Sequence, residues 1–172
     1  LDETKGVLFA DMDGDRDDDL LAAIGPFVLL ALNDGSGVFD RFVRMQAPTG
    51  GAFYHLTVAD YDRDGDLDVY GCRYVEEAYG TSVPMPYHDA NNGPANVLFR
   101  NDGQIDNQGD IRFVDVTTAV GLDTNNRRFS TAAAWADVDG DGDQDLYVSN
   151  DFGRNCLYRN EAGRFTEVAA AA

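Results

Sequence analysis

The chain has 172 residues, of which 44% are hydrophobic, 26% charged and 11% aromatic, enough apolar content to pack one globular domain and too much for a disordered chain. Thirteen basic residues stand against 31 acidic ones, a formal net charge of −18, which repels phosphate backbones and anionic membranes and excludes a nucleic-acid partner. The longest apolar run, Phe27 to Leu32, is strand-sized and far short of the roughly 18 to 20 residues a membrane-spanning helix needs, so no membrane insertion is expected.

The first predicted element is the apolar run Val7 to Ala10, which leads into the acidic string Asp11-Met-Asp13-Gly-Asp15-Arg-Asp17-Asp-Asp19. Behind it come two further apolar runs, Leu20 to Ile24 and Val28 to Leu32, then the turn Asn33-Asp34-Gly35 and a fourth run, Val38 to Val43. Their length, their β-branched and aromatic content and the Asn/Asp/Gly clusters that bound them predict strands.

The same succession then recurs twice. Leu56 to Ala59 precedes Asp60-Tyr-Asp62-Arg-Asp64-Gly-Asp66-Leu-Asp68, followed by Val69 to Cys72, Asn96 to Arg100, the turn Asn101-Asp102-Gly103 and Arg112 to Val116. Ala133 to Ala136 precedes Asp137-Val-Asp139-Gly-Asp141-Gly-Asp143-Gln-Asp145, followed by Leu146 to Ser149, Cys156 to Arg159, the turn Asn160 to Gly163 and Arg164 to Val168. Phe39, Phe113 and Phe165 occupy one register position in the fourth strand and are expected to point inward. The loops begin 49 and then 77 residues apart, the longer interval holding a Gly/Pro/Asn-rich insertion from Tyr79 to Pro94.

Twelve strands in three groups of four, at a period of about 50 to 60 residues, predict an all-β chain of three four-stranded antiparallel β-propeller blades. The expected limits are about 6–45 for the first blade, 52–118 for the second with its insertion at 76–95, and 129–169 for the third. A two-sheet sandwich fits the strand number but does not explain why one loop recurs at one strand junction. Propellers close with about four to eight blades, so three of them call for remaining blades or a neighbouring subunit as partner, or for self-assembly into a ring or filament. The chain begins at Leu1 without a basic-apolar leader, which reads as a processed chain or part of a longer one.

Asp at positions 1, 3, 5, 7 and 9 of each loop places 15 of the 31 acidic residues in three nine-residue segments. Like charges so close raise one another's pKa unless a cation neutralises them. Calcium takes six to eight oxygen ligands from flexible loops, whereas zinc and copper favour His or thiolate, and no loop contains His. Side-chain ligation is expected from Asp11, Asp13, Asp15 and Asp19, from Asp60, Asp62, Asp64 and Asp68, and from Asp137, Asp139, Asp141 and Asp145. At position 7, Asp17, Asp66 and Asp143 are expected to give backbone carbonyls, and Asp18 to point away. An EF-hand needs a bidentate Glu at position 12, where this sequence has Ala22, Gly71 and Val148. Position 6 suits a turn glycine and is Gly65 and Gly142 but Arg16 in the first loop, so the first site is expected to be the weakest or strained.

Cys72 and Cys156 lack metal or redox spacing and read as buried small hydrophobes, with a disulfide between neighbouring repeats as the alternative. His55 begins a strand and reads as structural. His88 lies in the insertion with no nucleophile identifiable nearby, so no enzyme activity is expected. Tyr74, Tyr79, Tyr87, His88, Asp89, Asn91 and Asn92 make the insertion the best candidate binding surface, suited to carbohydrate or an extracellular protein.

Three Asp-x-Asp-x-Asp-x-x-x-Asp-hydrophobic loops at strand junctions resemble the FG-GAP/VCBS repeats of integrin α-subunit propellers. Tyr87-His-Asp-Ala-Asn-Asn-Gly-Pro94, Asn96-Val-Leu-Phe-Arg-Asn101, Phe113-Val-Asp-Val-Thr117, Asn150-Asp-Phe-Gly-Arg-Asn155 and Leu157-Tyr-Arg-Asn160 are similar to bacterial extracellular proteins of the cartilage-acidic-protein type. The resemblance implies a propeller, often seven-bladed, with calcium in its blade loops and a secreted or cell-surface location. It implies a structural or adhesive role, with a carbohydrate-binding or polysaccharide-acting propeller as the alternative.

Overall fold

The computed structural model describes residues 4–47, 50–75, 83–104 and 111–169. Twelve strands are present: β1 (Thr4–Ala10), β2 (Asp19–Ile24), β3 (Phe27–Asn33), β4 (Phe39–Gln46), β5 (Ala52–Ala59), β6 (Asp68–Tyr74), β7 (Val97–Gln104), β8 (Ile111–Asp115), β9 (Ser130–Ala136), β10 (Asp145–Asn150), β11 (Cys156–Glu161) and β12 (Arg164–Glu167). They form three four-stranded antiparallel sheets, β1–β4, β5–β8 and β9–β12, each in sequential order. This is the blade arrangement that the repeats predict, and three separate meanders dispose of the sandwich. Among the described residues no helix is long and apolar enough to cross a membrane.

Three local differences have physical causes. The predicted turn Asn101-Asp102-Gly103 lies inside β7, because the β7–β8 pairing continues past it to Gln104 opposite Ile111 through a register shift. The third hairpin instead closes in two residues, Ala162 (φ 51°) and Gly163 (φ 80°), the paired left-handed conformation that matches strand twist. Phe39 is only half-buried and lies outside both core clusters, whereas Phe113 packs on the first cluster and Phe165 is buried in the second. Part of the insertion, including Tyr79, lies outside the described residues.

The sheets stack through their faces, β1, β2 and β3 against β5, and β5 and β6 against β9. Between the first two blades Leu8, Leu21, Leu30 and Met45 meet Phe53, Leu56, Val69 and Phe99. Between the second and third, Tyr70, Leu98 and Leu122 meet Trp135, Leu146, Val148 and Tyr158. The middle blade is covered on both faces, so β6 is buried from Asp68 through Arg73, while β2 alternates buried and half-buried residues because only its Leu21/Ala23 face is covered. The sequence nevertheless makes both faces of β2 apolar.

Register equivalence shows what the uncovered face of β1–β4 corresponds to. Val7, Leu20, Leu29 and Phe39 stand where the second blade has Leu56, Val69, Val97 and Phe113 and the third has Ala133, Leu146, Cys156 and Phe165. In the second and third blades those residues pack against the preceding blade. In the first blade Val7 is 62% exposed, and its neighbour on the same face, Phe9, is 61% exposed.

Candidate metal sites

The Asp loops join the first strand of each blade to the second, all at one end of the stack, because Ala10 pairs with Asp19, Ala59 with Asp68 and Ala136 with Asp145 where each loop leaves and re-enters its sheet. The position-1 carboxylate organises each loop by accepting backbone N–H groups on both oxygens. Asp11 accepts from Gly14 and Arg16, Asp60 from Asp64 and Gly65, and Asp137 from Gly140 and Gly142, at 2.7 to 3.1 Å. Position 5 then accepts from the N–H of position 7, as in Asp15 to Asp17, Asp64 to Asp66 and Asp141 to Asp143.

The ninth position anchors the loop. Asp19, Asp68 and Asp145 are essentially inaccessible at 0%, 0% and 1% exposure. Each accepts one bond from position 2 (Met12, Tyr61, Val138) and one from the third strand (Asn33, Asn101, Asn160). Burial nonetheless pushes the Asp68 carboxyl up to about 8, with Asp62 and Asp64 adding to the rise against those two N–H donors. Burial and neighbouring carboxylates likewise raise Asp13 and Asp62. Without a cation, the loops hold their carboxylates at an electrostatic cost.

Carboxylate oxygens converge to within 4.8 Å of one another in each loop, from Asp11, Asp13 and Asp15 in the first, Asp60, Asp62 and Asp68 in the second, and Asp137, Asp139 and Asp145 in the third. Asp64 and Asp141 stand outside the tightest groups of their loops, and Asp19 outside that of its own. Asp62 Oδ1 is buried and accepts no hydrogen bond, an orphaned acceptor of the kind a cation satisfies. An all-oxygen donor set with an unmet acceptor fits a hard divalent ion.

Position 7 faces elsewhere. The Asp17 and Asp66 carboxylates lie over Gly35 and Gly103 of the following hairpins, and Asp143 accepts the N–H of Ala162 at 2.9 Å. Their side chains thus support the β3–β4 type of turn and stand outside the converging groups. Asp18 is exposed.

Backbone conformation also repeats. Positions 4 and 6 are left-handed in every loop: Gly14 and Arg16 (φ 77° and 79°), Arg63 and Gly65 (60° and 99°), Gly140 and Gly142 (80° and 90°). Arg16 is therefore strained as its departure from glycine predicts, and Arg63 is a second such residue, missed because only position 6 was read as requiring glycine.

The sequence reading also missed the asparagines, which it took as turn residues. Asn33, Asn101 and Asn160 each brace their own loop, donating from Nδ2 to Asp18, Leu67 and Gln144 carbonyls. Asn101 Nδ2 also donates to Met12 O at 3.0 Å and Asn160 Nδ2 to Tyr61 O at 2.8 Å, so each latches its blade to the loop of the blade before it. The available signal was an Asn opening every third-strand turn.

The remaining candidates lie toward the opposite end or in the interfaces. Cys72 and Cys156 are free thiols, both buried, and burial pushes both thiols up. The disulfide alternative is not what the structure contains. His55 Nε2 is 3.1 Å from Ala133 O across the blade interface. Tyr74 donates to Asp151 at 2.6 Å, Arg128 pairs with Asp89 at 2.5 Å, and exposed Tyr87 stacks edge-on with Phe152 at 5.0 Å. His88 and Asn91 are exposed, and Asn92 donates to Val83 O and accepts from Met85 N.

Stacked four-stranded meanders with converging aspartates at the first hairpin of each define a β-propeller-type chain whose blade loops could hold metal ions. The family comparison agrees. Residues 11–71 match the FG-GAP-like repeat and residues 129–166 the FG-GAP repeat, so the chain carries FG-GAP repeats of the integrin α/VCBS type. The first match runs from the first Asp loop through the second into β6, and the other spans the third blade. No curated protein matches the chain.

Proposed function

We propose that the chain is a calcium-braced structural or adhesive module of a secreted or cell-surface protein, of the cartilage-acidic-protein type, in which the ions fix blade geometry and do no chemistry. The observation that carries this is the threefold recurrence of one device: a loop of converging carboxylates whose buried ninth-position Asp ties it to the third strand. Asp11, Asp13, Asp15 and Asp19, with their counterparts in the other loops, would hold the ions, with the Asp17, Asp66 and Asp143 carbonyls completing the shells. Calcium affinities of about 0.1 to 1 mM, as in extracellular modules, fill such sites outside the cell and leave them empty at cytosolic calcium levels. Calorimetric titration of the chelated protein with calcium tests this: uptake of three ions is expected, and no saturable uptake at millimolar calcium overturns it.

The partner we propose is a further blade of the same repeat, seated on the β1–β4 face. The register equivalents of Val7, Leu20 and Leu29 pack against a preceding blade wherever one is present, and Asn33 stands where Asn101 and Asn160 make their latches. Such a blade would offer an Asp-loop carbonyl to Asn33 Nδ2.

A second reading, carbohydrate binding at the insertion, is favoured by the 73% exposed Tyr87, two residues before Asp89, which with Arg128, Arg154 and Glu167 among others lines a polar pocket of about 220 Å³. An aromatic face next to paired donors and acceptors suits a sugar ring. Retention of the protein on a glycan array, lost with Tyr87→Ala, supports it, and a blank array refutes it.

A further inference from the structure

Arg63 is a costly residue at its position. At position 4 of the second loop it adopts φ 60°, where the other two loops have Gly14 and Gly140, and a left-handed non-glycine residue is strained by about 1 kcal/mol or more. Its side chain is not idle. It crosses to the third loop, where Nη2 lies 3.0 Å from Asp143 Oδ1, and it covers the turn so closely that a Cβ at Gly142 would sit 2.6 Å from Nη2. Asp143 is thereby held from two sides, by Arg63 on one oxygen and the Ala162 N–H on the other.

Two further contacts fix the same joint. Asn160 Nδ2 donates to Tyr61 O, and Gly163 lies against Asp62 and Tyr61, within 3.4 Å of the Asp62 Cβ for a Cβ built at that glycine. Arg63 is flanked by Asp62 and Asp64, both expected ligands, so an ion in the second loop fixes the peptide that aims the guanidinium. Asp143 in turn carries the position-7 carbonyl of the third loop, and pinning its side chain orients that carbonyl. The first loop has Gly14 at position 4 and no side chain to reach its neighbour.

We propose that Arg63 is a strut between the second and third loops, so that these two take up calcium as a cooperative pair through a link that the first loop, with Gly14 at position 4, does not have. Occupancy of the second loop orders Arg63, which orders Asp143 and prepares the third loop, and by linkage the third loop strengthens the second by the same factor. The inference rests on the calcium reading above. Arg63 is a positioning residue here and touches no ion.

The test is a thermodynamic cycle on the 172-residue chain. Asp60→Asn empties the second loop, and calcium affinity of the third loop is read from the fluorescence of Trp135, the chain's single tryptophan, two residues ahead of Asp137. With Arg63 present, Asp60→Asn is expected to weaken the third loop about threefold to fivefold, the range an exposed ion pair transmits. In an Arg63→Gly background, which restores the residue of the other loops, the same change should leave that affinity unaltered. A second measurement does not depend on a ligand change: calorimetry of Arg63→Gly alone should convert paired uptake into independent uptake. Equal weakening in both backgrounds, or none in either, overturns the strut while leaving three calcium sites in place. Absence of any calcium uptake overturns both readings.

Discussion

Removing calcium should lower the melting temperature by an amount the structure allows to be worked out. Three carboxylate groups converge in equivalent loops, and with ~1 mM free calcium and a site constant near ~0.1 mM each contributes about RT ln 11, or ~1.4 kcal/mol. Three sites amount to ~4 kcal/mol, a large share of an ordinary domain's net stability. For a chain of this size that corresponds to a fall of about 8 to 16 °C. Charge acts in the same direction, since each ion neutralises two of the 18 net negative charges and relieves repulsion within the compact state. The assay is differential scanning calorimetry in 1 mM calcium and in EDTA, with magnesium as a second arm because it resists the irregular coordination that these loops offer. Coincident melts in calcium and EDTA would refute the reasoning, since they would mean that the carboxylates are stable side by side without an ion.

Arg16→Gly should raise stability by up to about 1 kcal/mol, because glycine adopts the left-handed conformation without strain, and thermal melts will show it. Asn101→Ala and Asn160→Ala should each cost about 2 to 3 kcal/mol in chemical denaturation, while Asn33→Ala, which breaks no described bond between blades, should cost less. In the metal-free protein Asp68 keeps its proton to about pH 8, whereas an unfolded Asp loses it near pH 4. The folded state then binds more protons across that window, so this group makes metal-free stability fall as pH rises from about 4 to about 8, and melts in EDTA at pH 5 and 7.5 check the sign. Val7→Lys with Phe9→Lys should leave the melt nearly unchanged, because both sites are more than 60% exposed, while Leu56→Lys, at a position equivalent to Val7 and 5% exposed, should open the joint between the first two blades.

The Asp loops were legible because five alternating carboxylates in nine residues carry an electrostatic cost that a cation would relieve. The strands were legible because short apolar runs ended in turn residues. What the sequence concealed is long-range. Asn101 and Asn160 look like turn residues because their turn bonds are local, while the bonds to Met12 O and Tyr61 O span 89 and 99 positions. Arg63 looks like a solvated charge, since neither its left-handed backbone nor its reach to Asp143 leaves a pattern in neighbouring residues. Phe39 is the converse case. Its alternation says inward, but it is only half-buried and outside both core clusters, because its face of the sheet is covered only where another blade stands against it.

The second loop position shows where bound ions would act. Met12 and Tyr61 are each 2% exposed, buried in the joint with the next blade, whereas Val138, the same position in the third loop, is 57% exposed. Each of the first two residues also presents its carbonyl to the asparagine of the following blade, and its N–H to the buried ninth-position aspartate of its own. An Asp loop is therefore part of a joint as much as of a blade. In a stack whose stability is a sum of blade and neighbour terms, an ion that stiffens the loop strengthens the neighbour term, so calcium would be felt most where a following blade is in place. The third loop has its carboxylates and its turn glycines in full, and among the described residues no blade follows it. Its ion would act on a joint through Asp143 and Arg63, toward the blade before it, while those of the first two loops would also brace the blade that follows.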